Sequence, residues 1–267
     1  MTSLALRHRA RMMARKNAES GARSIGHTTV RLGQVLAGSV DARAATEYEL
    51  QRAALGEDLR ALSEIQSIEK KIERKAVLLP KYDDWCAGVL GVAAAARAEG
   101  KRLETDDVLV QTMIWAIDCA DAERAVPRAI AVIEHRMDLP ARFDRTPGCL
   151  IAEEFAETAM QALRLDQPAE PHLQPLLAIE ELTAEEDMPD QVRAKLQKAL
   201  GLVLLRCMEA RSDEEHAQGP AGGKAAILSA ALDRFRRALQ LDDKSGVKKI
   251  IEIRTRELDA LRAAPAD

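Results

Sequence analysis

Aromatic side chains are nearly missing from this chain: three Phe, two Trp and two Tyr make up 3% of its 267 residues. Glycine and proline are scarce as well, at 14 and 10 residues. A β-sandwich needs β-branched and aromatic strands separated by frequent Gly/Pro turns, so that architecture is excluded. Only four cysteines occur, at 86, 119, 149 and 207, and no two stand in a C-x-x-C spacing. Neither a zinc site nor a disulfide framework is indicated, and free thiols in a reducing compartment are expected. Long apolar runs are absent too. The longest, Val89–Ala96, falls far short of a membrane span, and the first residues hold no apolar segment of the secretory type.

What is present is Ala and Leu mixed with Glu, Arg and Lys, the strongest helix formers. The expected class is all-α. The net charge of −4 conceals a polarity. Arg7, Arg9, Arg11, Arg15, Lys16, Arg23 and Arg31 stand against Glu19 alone, so the first 37 residues carry +6 and the remainder −10. A basic arm on an acidic body suits a polyanion binder that must stay soluble.

The residues divide into four stretches. Residues 1–40 form the basic arm, with a helix that Ser3 can cap and Ser20-Gly21 ends. Arg7, Arg11 and Arg15 recur every four residues and share one face, where like charges repel each other and attract phosphate. Residues 41–80 read as one long amphipathic helix. Leu55, Leu59, Leu62, Ile65, Ile68, Ile72, Ala76 and Leu79 step by three or four, and Pro80 stops the run. Such a stripe must be buried, and Leu55, Leu62, Ile65 and Ile72 are expected to serve self-association. Residues 81–190 read as short antiparallel helices, one of them capped by Asp121 and holding Pro127, with a loop at Leu139–Thr146 carrying Arg142 and Arg145. Residues 191–267 fit a tetratricopeptide-like hairpin, with Leu200-Gly201 on its first helix and Ala231, Phe235 and Ala238 on its second, followed by a capping helix.

No catalytic centre emerges. Gly223-Lys224 imitates a phosphate loop but fails at both ends: Gln218 stands at the first Gly position and Ala225 replaces the magnesium-binding hydroxyl. The histidines at 8, 27, 135, 172 and 216 show no metal-binding spacing. Asp83-Asp84, Asp106-Asp107 and Glu153-Glu154 could serve a metal-dependent nuclease, but each falls near a helix start, where acids complement the dipole. Trp85, Trp115 and Phe155 lie in apolar-periodic helices and read as core. No cofactor, catalytic residue or metal ligand is assigned.

Several strings taken together resemble one family, the small terminase subunit of contractile-tailed phages related to coliphage P2. They are Met1-Thr2-Ser3 with Arg7-His8 and Arg11, the run Leu55–Pro80 closing on Leu78-Leu79-Pro80, Thr112–Asp118, and Arg145-Thr146-Pro147. Asp187-Met188-Pro189-Asp190 with Val192–Leu196, and Gln240-Leu241-Asp242 with Gly246–Lys249, complete the order. The resemblance implies binding of double-stranded viral DNA near a cohesive-end site. It also implies a homo-oligomer, recruitment of a large subunit that carries the packaging ATPase, and a place in the cytoplasm of the bacterial host, away from membranes. The family's endonuclease label then belongs to the whole complex. Two other readings compete: a metal-dependent endonuclease in its own right, and a helical-repeat scaffold for proteins alone.

Overall fold

A computed structural model describes residues 29–30, 39–211 and 223–263, with side chains from residue 46 onward. The arm cations Arg7, Arg9, Arg11, Arg15, Lys16, Arg23 and Arg31 lie outside the described residues, as do His8, His27, His216 and most of the loop before Lys224. The described chain is helical, in line with the all-α expectation. It forms two compact units, one of residues up to Trp115 with Pro127–Pro147, the other of Ala116–Val126 with Gly148 onward.

The first unit opens with α1 (Ser39–Glu64) and α2 (Ile68–Leu78). The run expected as one helix over residues 41–80 is thus divided at residues 65–67. Ser67 is the cause. Its backbone is extended (φ −69°, ψ 129°), and its hydroxyl accepts the Lys70 N–H at 3.3 Å, so it starts a new helix. The apolar spacing continues across this cap, which is why periodicity alone does not show the break. A 3-10 turn, Leu79–Tyr82, places Pro80 where no N–H is needed and leads into α3 (Asp83–Ala98). Two residues, Arg102–Leu103, then pair in parallel with Thr29–Val30. They are followed by α4 (Asp107–Asp118) and α5 (Ala122–Glu134), whose start Asp121 caps by accepting the Arg124 N–H at 3.1 Å.

These helices end alike. The N–H of Lys101, Asp121, Met137 and Gln167 each returns to a carbonyl five residues back, at 2.8, 2.9, 2.9 and 3.0 Å, in the Schellman manner. The residue before each is left-handed: Gly100 at φ 67°, but Ala120 at 56°, Arg136 at 53° and Asp166 at 55°. Three turns therefore tolerate a conformation that glycine would adopt without steric cost.

The second unit contains most of α6 (Pro147–Arg164), then α7 (Glu170–Leu182), α8 (Asp190–Glu209), α9 (Gly223–Leu241) and α10 (Lys248–Ala263). Leu205, Met208, Leu228, Leu232, Phe235, Val247 and Leu258 form the core shared by α8, α9 and α10. Its closest approach is between Gly201 on α8 and Phe235 on α9. A Cβ on Gly201 would stand 2.6 Å from Phe235 Cε1, and that ring is fully buried.

Gly201→Ala should set two effects against each other. Ala gains about 1 kcal/mol of helix propensity over Gly, while overpacking a buried ring costs about 1–3 kcal/mol. Because the Phe235 ring has nowhere to retreat, the expected net loss is about 1 kcal/mol or more, read from the denaturant midpoint. Adding Phe235→Leu to Gly201→Ala should cost less than the sum of the two single changes, because the shared clash disappears.

Candidate functional site

Among the described residues, α1 is the helix that leads from the arm into the body, and two polar clusters hold it in the first unit. Tyr48 stacks on Trp85 with ring centroids 5.6 Å apart and planes 14° from parallel. Its hydroxyl accepts the Asp107 N–H at 3.1 Å, one of the orphan donors at the start of α4. Arg52, one turn on, meets Asp107 Oδ2 at 2.9 Å and lies 5.6 Å from the Tyr48 ring centre. Trp85 Nε1 donates to both Asp106 oxygens at 3.3 and 3.1 Å, and Asp106 Oδ1 accepts the Leu109 N–H at 2.7 Å, capping α4. Three turns along α1, Asp58 Oδ2 accepts from the Tyr82 hydroxyl at 2.5 Å and from Lys81 Nζ at 2.7 Å.

The electrostatics follow from burial. Asp106 is 2% exposed, and desolvation pushes its carboxyl up from 3.8 to about 6 even though three hydrogen bonds oppose the rise. Burial raises Tyr48 as well, and burial plus the Asp58 carboxylate raises Tyr82 far above the usual phenol range. Burial also works to raise Asp58, but the hydrogen bonds from Lys81 and Tyr82 outweigh it and the carboxyl ends below its ordinary value. Trp85, read from sequence as core, is instead half-buried and wedged between Tyr48 and Asp106; Trp115 and Phe155 are buried.

Two of the three carboxylate pairs sit at helix starts as expected; Glu153-Glu154 does not, being the seventh and eighth residues of α6, whose first turn holds no acid. Asp83, in the first turn of α3, holds Arg128 Nη2 at 2.8 Å, and Arg128 is 3% exposed. Glu153 holds Lys195 at 2.8 Å, with Glu157 at 3.6 Å from the same ammonium. Among the described residues, no three His, Cys, Asp or Glu side chains come together as a metal site. His135 is structural. Its Nδ1 accepts the Leu103 N–H at 3.1 Å and its Nε2 donates to the Ala93 carbonyl at 3.1 Å, which requires a neutral ring; burial lowers its pKa accordingly. His172 lines a shallow cleft in the second unit with Phe155, Thr158 and Leu176, and burial lowers it too.

The remaining candidates are dispersed. Leu55 and Leu62 are buried at 5% exposure each, whereas Ile65 and Ile72 are half-buried. Arg142 lies 4.6 Å from the Phe143 ring centre and donates to buried Gln111, while Arg145 is half-buried. Lys248 and Lys249 are exposed in the first turn of α10. Lys224, the lysine of the phosphate-loop imitation, lies 3.8 Å from Glu257. Spacing gave no sign of the contacts of Tyr48 and Arg52 with Asp107, or of Asp58 with Lys81 and Tyr82, because these partners lie at least 23 residues away. Among the described residues no helix is long and apolar enough to cross a membrane.

Residues 52–191 match a family model described as the phage small terminase subunit. The chain is 35% identical over 258 residues to the "Terminase, endonuclease subunit" of Escherichia phage P2, covering 97% of this chain and 86% of that protein. It is 25% identical over 216 residues to the "Probable terminase, endonuclease subunit" of Haemophilus phage HP1, covering 80% and 72% respectively. No solved structure matches.

Asp106 gives a pH signature. Its folded pKa of about 6 exceeds its ordinary 3.8, so its contribution is complete below 3.8 and is lost as the pH rises through 6. On acidification from about pH 7 to pH 5, the wild type should therefore fare better than Asp106→Asn by about 1 kcal/mol. Comparing the two chemical unfolding curves at each pH checks this. His135 acts in the opposite sense, but equally in both proteins, and cancels.

Proposed function

The chain belongs to the phage small terminase subunit family, and on that premise we propose that it is the DNA-binding adaptor of a packaging terminase. Its basic first 40 residues engage double-stranded viral DNA near the cohesive-end site. Its helical body assembles with further copies and recruits the large subunit that carries the ATPase, in the cytoplasm of the bacterial host. The observation that carries the DNA-binding part is the charge division, +6 in the first 37 residues against −10 in the rest.

A duplex releases counterions when cations replace them, and a net-negative body offers it little by itself. Many of the body's own cations are engaged at home: Arg128 with Asp83, Lys195 with Glu153, Arg206 with Asp166, and Arg254 with Glu209 and Glu257. Phosphate contacts position a protein without reading bases, so the arm holds DNA of any sequence. Selection of one site then comes from repeated half-sites read by several copies or from bending of the duplex. Assembly multiplies weak arms through effective concentration.

The word endonuclease in the relatives' names raises a second reading, cleavage by this chain itself. The carboxylate pairs argue for the adaptor: Asp106 caps a helix, and Asp83 and Glu153 hold Arg128 and Lys195. Purified protein with supercoiled plasmid and magnesium should leave the plasmid unnicked. Nicking that follows the protein through purification and falls with Glu153→Gln or Asp84→Asn would establish the second reading.

The arm has its own test. If one arm neutralises about three to five phosphates, log affinity should fall against log salt with a slope of roughly −3 to −4.5 per engaged arm. Changing Arg7, Arg11 and Arg15 together to Ala should weaken binding to every duplex and flatten that slope, with helix content unchanged. Full-strength binding by the triple variant at matched salt would move the DNA contact to Arg142 and Arg145, or to Lys248 and Lys249.

A further inference from the structure

Two short strands, β1 (Thr29–Val30) and β2 (Arg102–Leu103), tie the chain ahead of α1 to the first unit. Two paired residues hold poorly by themselves in water, so the pairing depends on what fixes β2. That role falls to His135.

The turns that end α3 and α5 bring the parts together. The Lys101 N–H returns to the Ala96 carbonyl and the Met137 N–H to that of Val132, which sets β2 after the first turn and His135 inside the second. The ring, 3% exposed, bridges two elements. Its Nε2 donates to the Ala93 carbonyl of α3 at 3.1 Å, and its Nδ1 accepts the Leu103 N–H of β2 at 3.1 Å. A second stitch follows, from the Asp138 N–H to Thr105 Oγ1 at 2.8 Å. Successive residues of a strand turn their N–H groups to opposite edges, so the imidazole takes the edge of β2 that β1 does not.

Both bonds require the neutral ring with its proton on Nε2. A protonated ring would aim a second N–H from Nδ1 at the Leu103 N–H, leaving two buried donors face to face. Burial is the largest influence on the ring and disfavours its charge; the Ala93 bond and Glu134 oppose that, while Arg102 and Arg97 add to it. Glu134 is itself held by Arg97 at 2.7 Å. Thr29 and Val30 are not ionisable, and Arg136, next in the chain, is exposed. The group therefore lies below its ordinary 6.5. Its bonds are complete above that pH and are lost as the pH falls through the lowered value.

We propose that His135 positions the DNA-binding arm: the neutral imidazole seats β2, β2 seats β1, and β1 fixes where the arm leaves the first unit, so that protonation of the ring frees the arm's base. This rests on the reading above that the arm binds DNA, and adds what holds the arm in place. With β1 seated, the base of the arm is ordered before DNA arrives; unseated, that ordering adds to the cost of binding.

Three full-length variants test this, with helix content checked for each. His135→Asn offers an amide oxygen near the Nδ1 position and cannot titrate. His135→Gln reaches the Nε2 position instead and leaves the Leu103 N–H unmet. Val30→Pro removes a ladder N–H of β1 and leaves His135 untouched. Amide exchange around residues 29–30 and 102–103, and duplex affinity at matched salt, are read from about pH 7.5 to about pH 4.5. His135→Asn should stay protected and bind tightly throughout. His135→Gln and Val30→Pro should exchange quickly and bind more weakly by a factor of about 5–30, the equivalent of one loosened residue. The wild type should match His135→Asn at neutral pH and approach His135→Gln in acid; the general effect of acid on charge cancels in the ratio. A wild type that tracks His135→Asn down to the lowest pH would overturn the proposal, as would full protection in His135→Gln. Lost protection with undiminished affinity, in a protein whose binding still needs Arg7, Arg11 and Arg15, would show that β1 does not position the arm. Full-strength binding after those three arginines become Ala would instead sink the arm reading itself.

Discussion

The first unit depends on how α1 is held. Every Trp and Tyr of the chain takes part in that attachment or borders it: Tyr48 on Trp85, and Tyr82 edge-on to Trp115 with centroids 6.1 Å apart. An aromatic ring with a polar tip can be buried only when the tip finds a partner. Tyr48 reaches the Asp107 backbone, Tyr82 reaches Asp58, and Trp85 reaches Asp106. A chain so poor in aromatics has few means of fastening a long helix by apolar area alone. Tyr48, Tyr82 and Trp85 instead join α1 to the starts of α3 and α4 through their polar tips.

That attachment also fixes where charges reside. Asp106 gives up water to cap α4 and carries a raised pKa as the consequence. Asp58 is kept ionised because Lys81 and the Tyr82 hydroxyl both donate to it. Of the acids that a nuclease could have used, Asp106 caps a helix, Asp107 holds Arg52, Asp83 holds buried Arg128 and Glu153 holds Lys195. A helix start needs an acceptor, and a buried guanidinium needs a carboxylate. Much of the body's charge is paired locally, and the DNA contact proposed above rests on the net-basic composition of the first 37 residues. For a polyanion partner, that division matters more than any single side chain.

Close approach and helix termination use different devices. Gly201 on α8 has no side chain opposite the buried Phe235 ring on α9. Left-handed residues end helices in both units, Gly100 and Arg136 in the first, Ala120 and Asp166 in the second. The core shared by α8, α9 and α10 is built mainly from Leu and Ala around Phe235.

Residue chemistry and spacing were sufficient for everything that depends on neighbours in the chain. The helical class follows from composition, and the cap at Asp121 follows from its place before an apolar run. The family followed from the order of short strings along the chain. Other features are decided by partners distant in sequence. Trp85 stands on an apolar-periodic helix, yet it is half-buried because Tyr48 and Asp106 come to it from 37 and 21 residues away. The break at Ser67 is a contest between a local cap and a continuing stripe, and only the fold shows the cap prevailing. Leu55 and Ile72 belong to the same repeat, but one is buried and the other half-open, because a periodic pattern records that a face is apolar and not what covers it.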